Sequence, residues 1–256
     1  MIRLMGTMSV VLFALVCLAM AQTDTTETAL IAQGDSAYAA YNNKAAAEYY
    51  TKATQVEPNN YEATWKLSRA YADMGEALTR KDERNRFFKK SEELARKAIQ
   101  IDSTGEKGHL YLAIALGRVA LDAGAKERVQ MSKEIKAETE KAIQLDPNDY
   151  LAWHVLGRWN KKMATLSWIE KSFANIFLGG VPKGATLENA MKDFKKAIEL
   201  NPHYINNYYQ LGLTYEDMGD KKMAIEEYKK VGELPQTNWE DPKIKKEAQE
   251  RLKHLS

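Results

Sequence analysis

The sequence predicts an all-α fold: a right-handed solenoid of stacked helix-turn-helix repeats with elongated middle repeats and a C-terminal capping helix. Two observations predict it. Five segments end almost alike, KATQVEP (52–58), KAIQIDS (97–103), KAIQLDP (141–147), KAIELNP (196–202) and KVGELP (230–235). Each reads as the end of an apolar-faced helix stopped by Pro or Ser, and Ala53, Ala98, Ala142 and Ala197 stand at one equivalent place before the stop. The composition agrees: 14 Gly and 6 Pro in 256 residues, with no sustained alternation of β-branched residues. One helical pair cannot bury its apolar face alone, so such units must stack.

The first halves of the units are present as well. Trp153-His-Val-Leu156-Gly157 and Tyr208-Tyr-Gln-Leu211-Gly212-Leu-Thr-Tyr215 follow the W-x-x-L-G-x-x-Y pattern of tetratricopeptide (TPR) repeats. Ala224 and Tyr228 follow at the expected spacing in the last unit. A small residue lets two helices approach, and a large one a turn away fills the hole on the facing helix. These Ala, Leu, Trp and Tyr residues are therefore read as core and not as a cofactor box.

Residues 1–21 read as a signal peptide. Arg3 is their only charge, Val10 to Ala19 is apolar, and Ala19-Met20-Ala21 has the small-x-small form of a cleavage site, which would leave Gln22 first. The alternative is a retained membrane anchor over 4–21, at the lower limit of a span. The expected compartment is the bacterial periplasm, with membrane contact only if this segment is retained. Cys17, the single cysteine, lies inside it behind Val16, where lipid attachment would need a small residue, so the remaining chain has no disulfide or thiol chemistry. Residues 22–27 form a short polar lead, and 28–256 form the TPR-like domain. Its repeats are placed at about 27–60, 61–105, 106–149, 150–204 and 205–238, with a capping helix at 242–255. Terminal units need such a cap for solubility.

Repeat length is irregular. The stops at Pro58, Ser103, Pro147 and Pro202 are 45, 44 and 55 residues apart, against an ordinary period of about 34. In units two and three the extra residues are charged and helix-forming, so they are expected to lengthen the paired helices. In unit four the insert is apolar and aromatic, with Trp168, Ile169, Phe173, Ile176 and Phe177 at helical spacing before Gly179-Gly180-Val-Pro182. It either folds back to complete the core or forms a partner, dimer or membrane-surface interface.

The run Leu156-Gly-Arg-Trp-Asn-Lys-Lys-Met-Ala-Thr-Leu-Ser-Trp168-Ile-Glu-Lys171, with Phe177-Leu-Gly-Gly-Val-Pro182 and Ala190…Phe194-Lys-Lys-Ala-Ile-Glu-Leu-Asn-Pro202, resembles the regulator of microtubule dynamics family. The resemblance covers roughly 61–255; repeat one is a generic TPR. It implies an all-helical TPR-like domain without known catalysis and, in eukaryotic members, association with microtubules or organelle membranes. This chain departs from that picture in its export signal and in lacking an acidic di-phenylalanine tether, since Phe87-Phe88 is followed by Lys89-Lys90. A bacterial exported relative with another partner is the expectation. A membrane-anchored factor linked to cytoskeleton or organelle contacts is the alternative.

With 37 basic and 35 acidic side chains the net charge is +2. That supplies no overall field for nucleic acid. A partner-binding groove is expected along one stripe of the first helices. The stripe comprises Trp65, Arg69 and Asp73; Leu110, Ile114 and Arg118; His154, Arg158 and Lys162; and Tyr209, Leu213 and Asp217. Its basic centre and aromatic walls would suit a protein or peptide with acidic groups, because Arg forms forked hydrogen bonds to carboxylates. Otherwise these are ordinary solvated groups on a helix face. The Asn/Lys pattern of a C-terminal-carboxylate clamp is missing.

No cofactor, metal or catalytic residue is expected. His109 and His154 fall at similar places in adjacent units and could approach, but two histidines without a third ligand make a weak metal site. There is no P-loop, no G-x-S-x-G and no dinucleotide fingerprint. An enzyme remains the rival from another class.

Overall fold

The computed structural model describes residues 26–167, 170–172, 175, 180 and 184–255. These residues form helices joined by short turns: α1 (26–39), α2 (Asn43–Val56), α3 (Tyr61–Glu76), α4 (Lys81–Ile101), α5 (Glu106–Asp122), α6 (Ala125–Leu145), α7 (Tyr150–Ala164), α8 (Leu187–Leu200), α9 (Ile205–Met218), α10 (Lys221–Glu233) and α11 (Asp241–Leu255). The N-terminal segment 1–25 and the insert residues Trp168, Ile169, Phe173, Ile176 and Phe177 lie outside the described residues. No described helix is long and apolar enough to cross a membrane.

The recurring segment endings are helix caps. Glu57, Asp102, Asp146 and Asn201 leave the helix in extended conformation, and their N–H groups donate to the carbonyls of Ala53, Ala98, Ala142 and Ala197. That satisfies carbonyls which a helix end otherwise leaves open. The helix starts are capped by side chains: Asn42, Asn60, Asp149, Thr186 and Asp220 accept from backbone N–H groups of the first turn.

Helix pairs close on a glycine under an aromatic ring. A Cβ on Gly34 would lie 2.4 Å from Tyr50, on Gly157 2.8 Å from Phe194, and on Gly212 2.5 Å from Tyr228. The rings of Tyr50, Phe194 and Tyr228 are fully buried there. Repeat two keeps a form of this pair, since a Cβ on Gly75 would lie 2.6 Å from Phe88, and adds a hydrogen bond between the same two helices. Ser68 donates to the Ser91 carbonyl at 2.8 Å. The extra residues lengthen α4 and α6 to 21 residues each, against 14 in α2 and α8. Phe88 on the added length packs against Gly75, and Phe87 meets Tyr71 with ring centroids 5.8 Å apart. The di-phenylalanine is thus core material.

Successive first helices α3, α5, α7 and α9 touch one another, and α11 closes the series against α9 and α10. The first helices therefore form the inner layer, and whatever they present on their free side faces one shared concavity.

Candidate functional site

The concavity is a cavity of about 900 Å³, within the usual range of ligand pockets, about 300–1,000 Å³. Its floor comes from stripes spaced by four residues on the inner helices, because i and i+4 share a helix face. Arg69 and Asp73 come from α3, Ile114 and Arg118 from α5, His154, Arg158 and Lys162 from α7. The structure thus brings together Arg69, Arg118, His154, Arg158 and Lys162. Four other residues of the expected stripe lie elsewhere. Trp65 stacks on Tyr111 at 5.5 Å and does not line the cavity. Tyr209 is buried in the last core cluster beside Tyr228. Leu110 is likewise fully buried, and Leu213 packs against the same last cluster. On α9 the cavity residues are Asn206, Gln210 and Asp217.

Sequence reasoning missed two contributions. Tyr38 and Tyr41 of the first repeat line the cavity, as does the stretch Thr237–Glu240 before α11. The first could have been found by extending the four-residue stripe into α1. The second carried a weaker signal, a lone aromatic–acid pair in a polar linker. Tyr41 has φ 60°, the left-handed region that costs a bulky residue. It stays 45% exposed at the rim, as Leu121 stays 55% exposed.

The charges in the cavity are unevenly matched. Tyr38 donates to Asp73 at 2.8 Å. Burial pushes the Asp73 carboxyl up to about 7, although that hydrogen bond and the nearby Arg69 and Arg118 oppose the rise. Arg69 lies 3.5 Å over the Tyr38 ring and donates to Tyr50 Oη at 3.3 Å, and its Nε is buried without a partner. Arg118 pairs with Glu76 at 2.7 Å and faces Glu240 at 3.7 Å. Lys161 pairs with Asp217 at 3.3 Å. Arg158 has no hydrogen bond or ion pair among the described residues. Burial first, then the neighbouring Arg118, lowers its affinity for its proton. One guanidinium at the centre of the cavity is thus left without an anion.

His154 is held in place by its neighbours. Its Nδ1 is 2.7 Å from Asn207 Oδ1, and its ring packs edge-on against Phe194 and Tyr204. Burial, then Arg158, lowers its pKa to about 3. His109 has separate partners, Glu138 at 2.6 Å and the Ser103 carbonyl at 3.1 Å. Among the described residues no three His, Cys, Asp or Glu side chains gather as a metal site.

The family model described as regulator of microtubule dynamics protein 1-3 matches residues 30–256. The chain belongs to the regulator of microtubule dynamics family. The match begins in α1, so the first repeat is part of the family domain, whereas its own sequence reads only as a generic TPR. Bovine regulator of microtubule dynamics protein 3 is 32% identical over 187 residues, 73% of this chain and 40% of that protein. Bovine regulator of microtubule dynamics protein 1 is 30% identical over 202 residues, 78% of this chain and 63% of that protein. The chain thus spans between two-fifths and two-thirds of these relatives. Among solved structures, a thermophilic TPR protein of Thermus thermophilus superposes with a TM-score of 0.64 at 18% identity, covering 90% of this chain and 98% of that one. The pilF protein of Pseudomonas aeruginosa does so with a TM-score of 0.57 at 16% identity, covering 91% and 93%. Both show the solenoid fold.

Proposed function

We propose that this family member is a non-enzymatic scaffold that takes an acidic segment of a protein partner into its inner cavity. The observation that carries this reading is Arg158, a cation enclosed by the inner helices without an anion. Arg158 is half-buried; a charge partly withdrawn from water is costly unless paired, and a carboxylate meeting the guanidinium fork would reduce that cost while making two charge-assisted hydrogen bonds. Ile114, Val155 and Met163 beside it supply apolar wall for the rest of the segment. His154, Asp73 and Arg118 around Arg158 are engaged with structural partners, which supports binding over catalysis. Replacing Arg118, Arg158 and Lys162 together with Ala should abolish capture of acidic peptides from an array while leaving helical circular dichroism unchanged. Capture that persists would remove this reading.

A second reading is favoured by the same enclosed shape. A single anion on a long apolar body would also fill a cavity with an apolar wall and one unpaired Arg. Competition between an acidic peptide and a fatty acid separates the two.

For the compartment, residues 1–21 are proposed to direct export and be removed, leaving Gln22 first. The rival is a retained anchor, which would bring the chain to the cytoskeleton or organelle contacts that the relatives' name suggests. N-terminal sequencing of the protein from its own host after fractionation decides. A soluble chain starting at Gln22 supports export, and a membrane-bound chain keeping Met1 supports the anchor.

A further inference from the structure

We infer that the stretch 237–240 is a displaceable wall of the cavity, and that its Trp239-Glu240 pair marks what the partner carries: an extended segment with an aromatic residue beside a carboxylate. The inference deepens the reading above and rests on it.

Thr237, Asn238, Trp239 and Glu240 line a cavity whose walls are otherwise helices and their ends. The stretch joins α10 to α11 without helical structure. It is held at its base. Asp241 Oδ2 accepts from the N–H groups of Thr237 and Asn238 at 2.7 Å each, and Thr237 Oγ1 donates to the His203 carbonyl at 3.3 Å. These bonds hold the backbone and leave Trp239 and Glu240 free to reach the inner helices.

Glu240 behaves as a poorly seated ligand. Its side chain is 15% exposed and meets Arg118 only at 3.7 Å. It makes no side-chain hydrogen bond among the described residues. Arg118 is already engaged by Glu76 at 2.7 Å, and Arg158, close enough to feel the Glu240 charge, is not contacted. Burial, with Glu76 adding repulsion, raises the Glu240 pKa against the pull of Arg118 and Arg158. A carboxylate that enters from outside can seat squarely on Arg158, which the tethered Glu240 does not reach. A structural ion pair would have no such deficit on both sides.

If this wall must withdraw before a partner's carboxylate can seat on Arg158, only the fraction of molecules in which it has withdrawn can bind. The apparent affinity is then reduced by that fraction, and weakening the hold of this wall restores it. The probe is a fluorescein-labelled peptide of the chain's own sequence, Gln-Thr-Asn-Trp-Glu-Asp, read by anisotropy with the full-length protein. Glu240→Gln is the key variant. It keeps size, and the Glu240 carbonyl that accepts from the N–H groups of Lys243 and Ile244 at the start of α11 is untouched. Binding should tighten about tenfold in Glu240→Gln. It should be lost in Arg158→Ala in either background, and should fall for peptides in which Trp becomes Ala or Glu becomes Gln. Equal or weaker binding by Glu240→Gln, with the Arg158 dependence intact, would make the stretch a fixed wall and overturn the inference alone. Binding indifferent to Arg158→Ala would overturn the carboxylate reading itself. Oleate displacing the peptide equally from wild type and Glu240→Gln would overturn the peptide assignment in favour of an apolar acid.

Discussion

Phe194 lies across the backbone of Gly157 so closely that a Cβ there would sit 2.8 Å from its ring. This contact locks α7 to α8, and α7 carries His154, Arg158 and Lys162. Phe194 is fully buried and has no room to withdraw. Gly157→Ala should therefore destabilise by about 1–3 kcal/mol, as over-packed cores do, despite the better helix propensity of Ala. Urea denaturation checks it. A stabilised variant would mean that the ring moves freely.

Asp73 accepts from Tyr38 but is otherwise short of partners, and its pKa is raised by burial from 3.8 to about 7. A carboxyl with a raised folded pKa takes up a proton on folding. Its ionised form costs stability as pH rises above 3.8, with the full cost above about 7. Asp73→Asn keeps an oxygen for the Tyr38 hydroxyl. Its melting temperature should exceed that of wild type by a few degrees at pH 8, and the gain should vanish near pH 4. Thermal melts at the two pH values decide, and a gain of equal size at both would refute the assignment.

His154 works in the opposite direction. Its folded pKa, about 3, lies below the ordinary 6.5, so the unfolded chain binds the proton more tightly. Stability is lost as pH falls below 6.5, at up to about 1.4 kcal/mol per pH unit. Asp193, raised to about 6 by burial, offsets part of this loss at lower pH. His154→Gln can still reach Asn207, so the urea midpoint should fall less steeply between pH 6.5 and 5 than in wild type. Parallel slopes would count against a buried neutral imidazole.

Tyr41 holds a left-handed backbone at the cavity rim. Such strain in a bulky residue persists only where something else requires it. Tyr41→Gly should raise stability by about 1 kcal/mol while weakening capture of acidic peptides several-fold. If capture is unchanged, the exposed ring has no part in binding.

Much of the fold was legible because it repeats. The segment endings recur because each Ala carbonyl must be capped at the same place, and Gly157 and Gly212 announce the aromatic rings that lie on them. The stripe Arg69, Arg118, Arg158 and Lys162 was legible for the same reason, since residues four apart on an inner helix look into one hollow. The rule failed at Tyr209 and Leu213. There α11 packs on α9 and covers the face that earlier repeats leave open; Ile244 and Ala248 of α11 share the core cluster of Tyr209.

The sequence by itself determined the solenoid, its family and the basic inner stripe, because helix period and capping are local properties carried by neighbouring residues. Only the tertiary structure decided which of those cations is satisfied. Arg118 finds Glu76 one repeat back and Glu240 near the far end of the chain, whereas Arg158 forms no ion pair among the described residues. That outcome depends on how the stacked helices curve and where the stretch before α11 crosses them. Coulomb and hydrogen-bond terms act over a few ångströms in space, and no spacing along the chain encodes that distance.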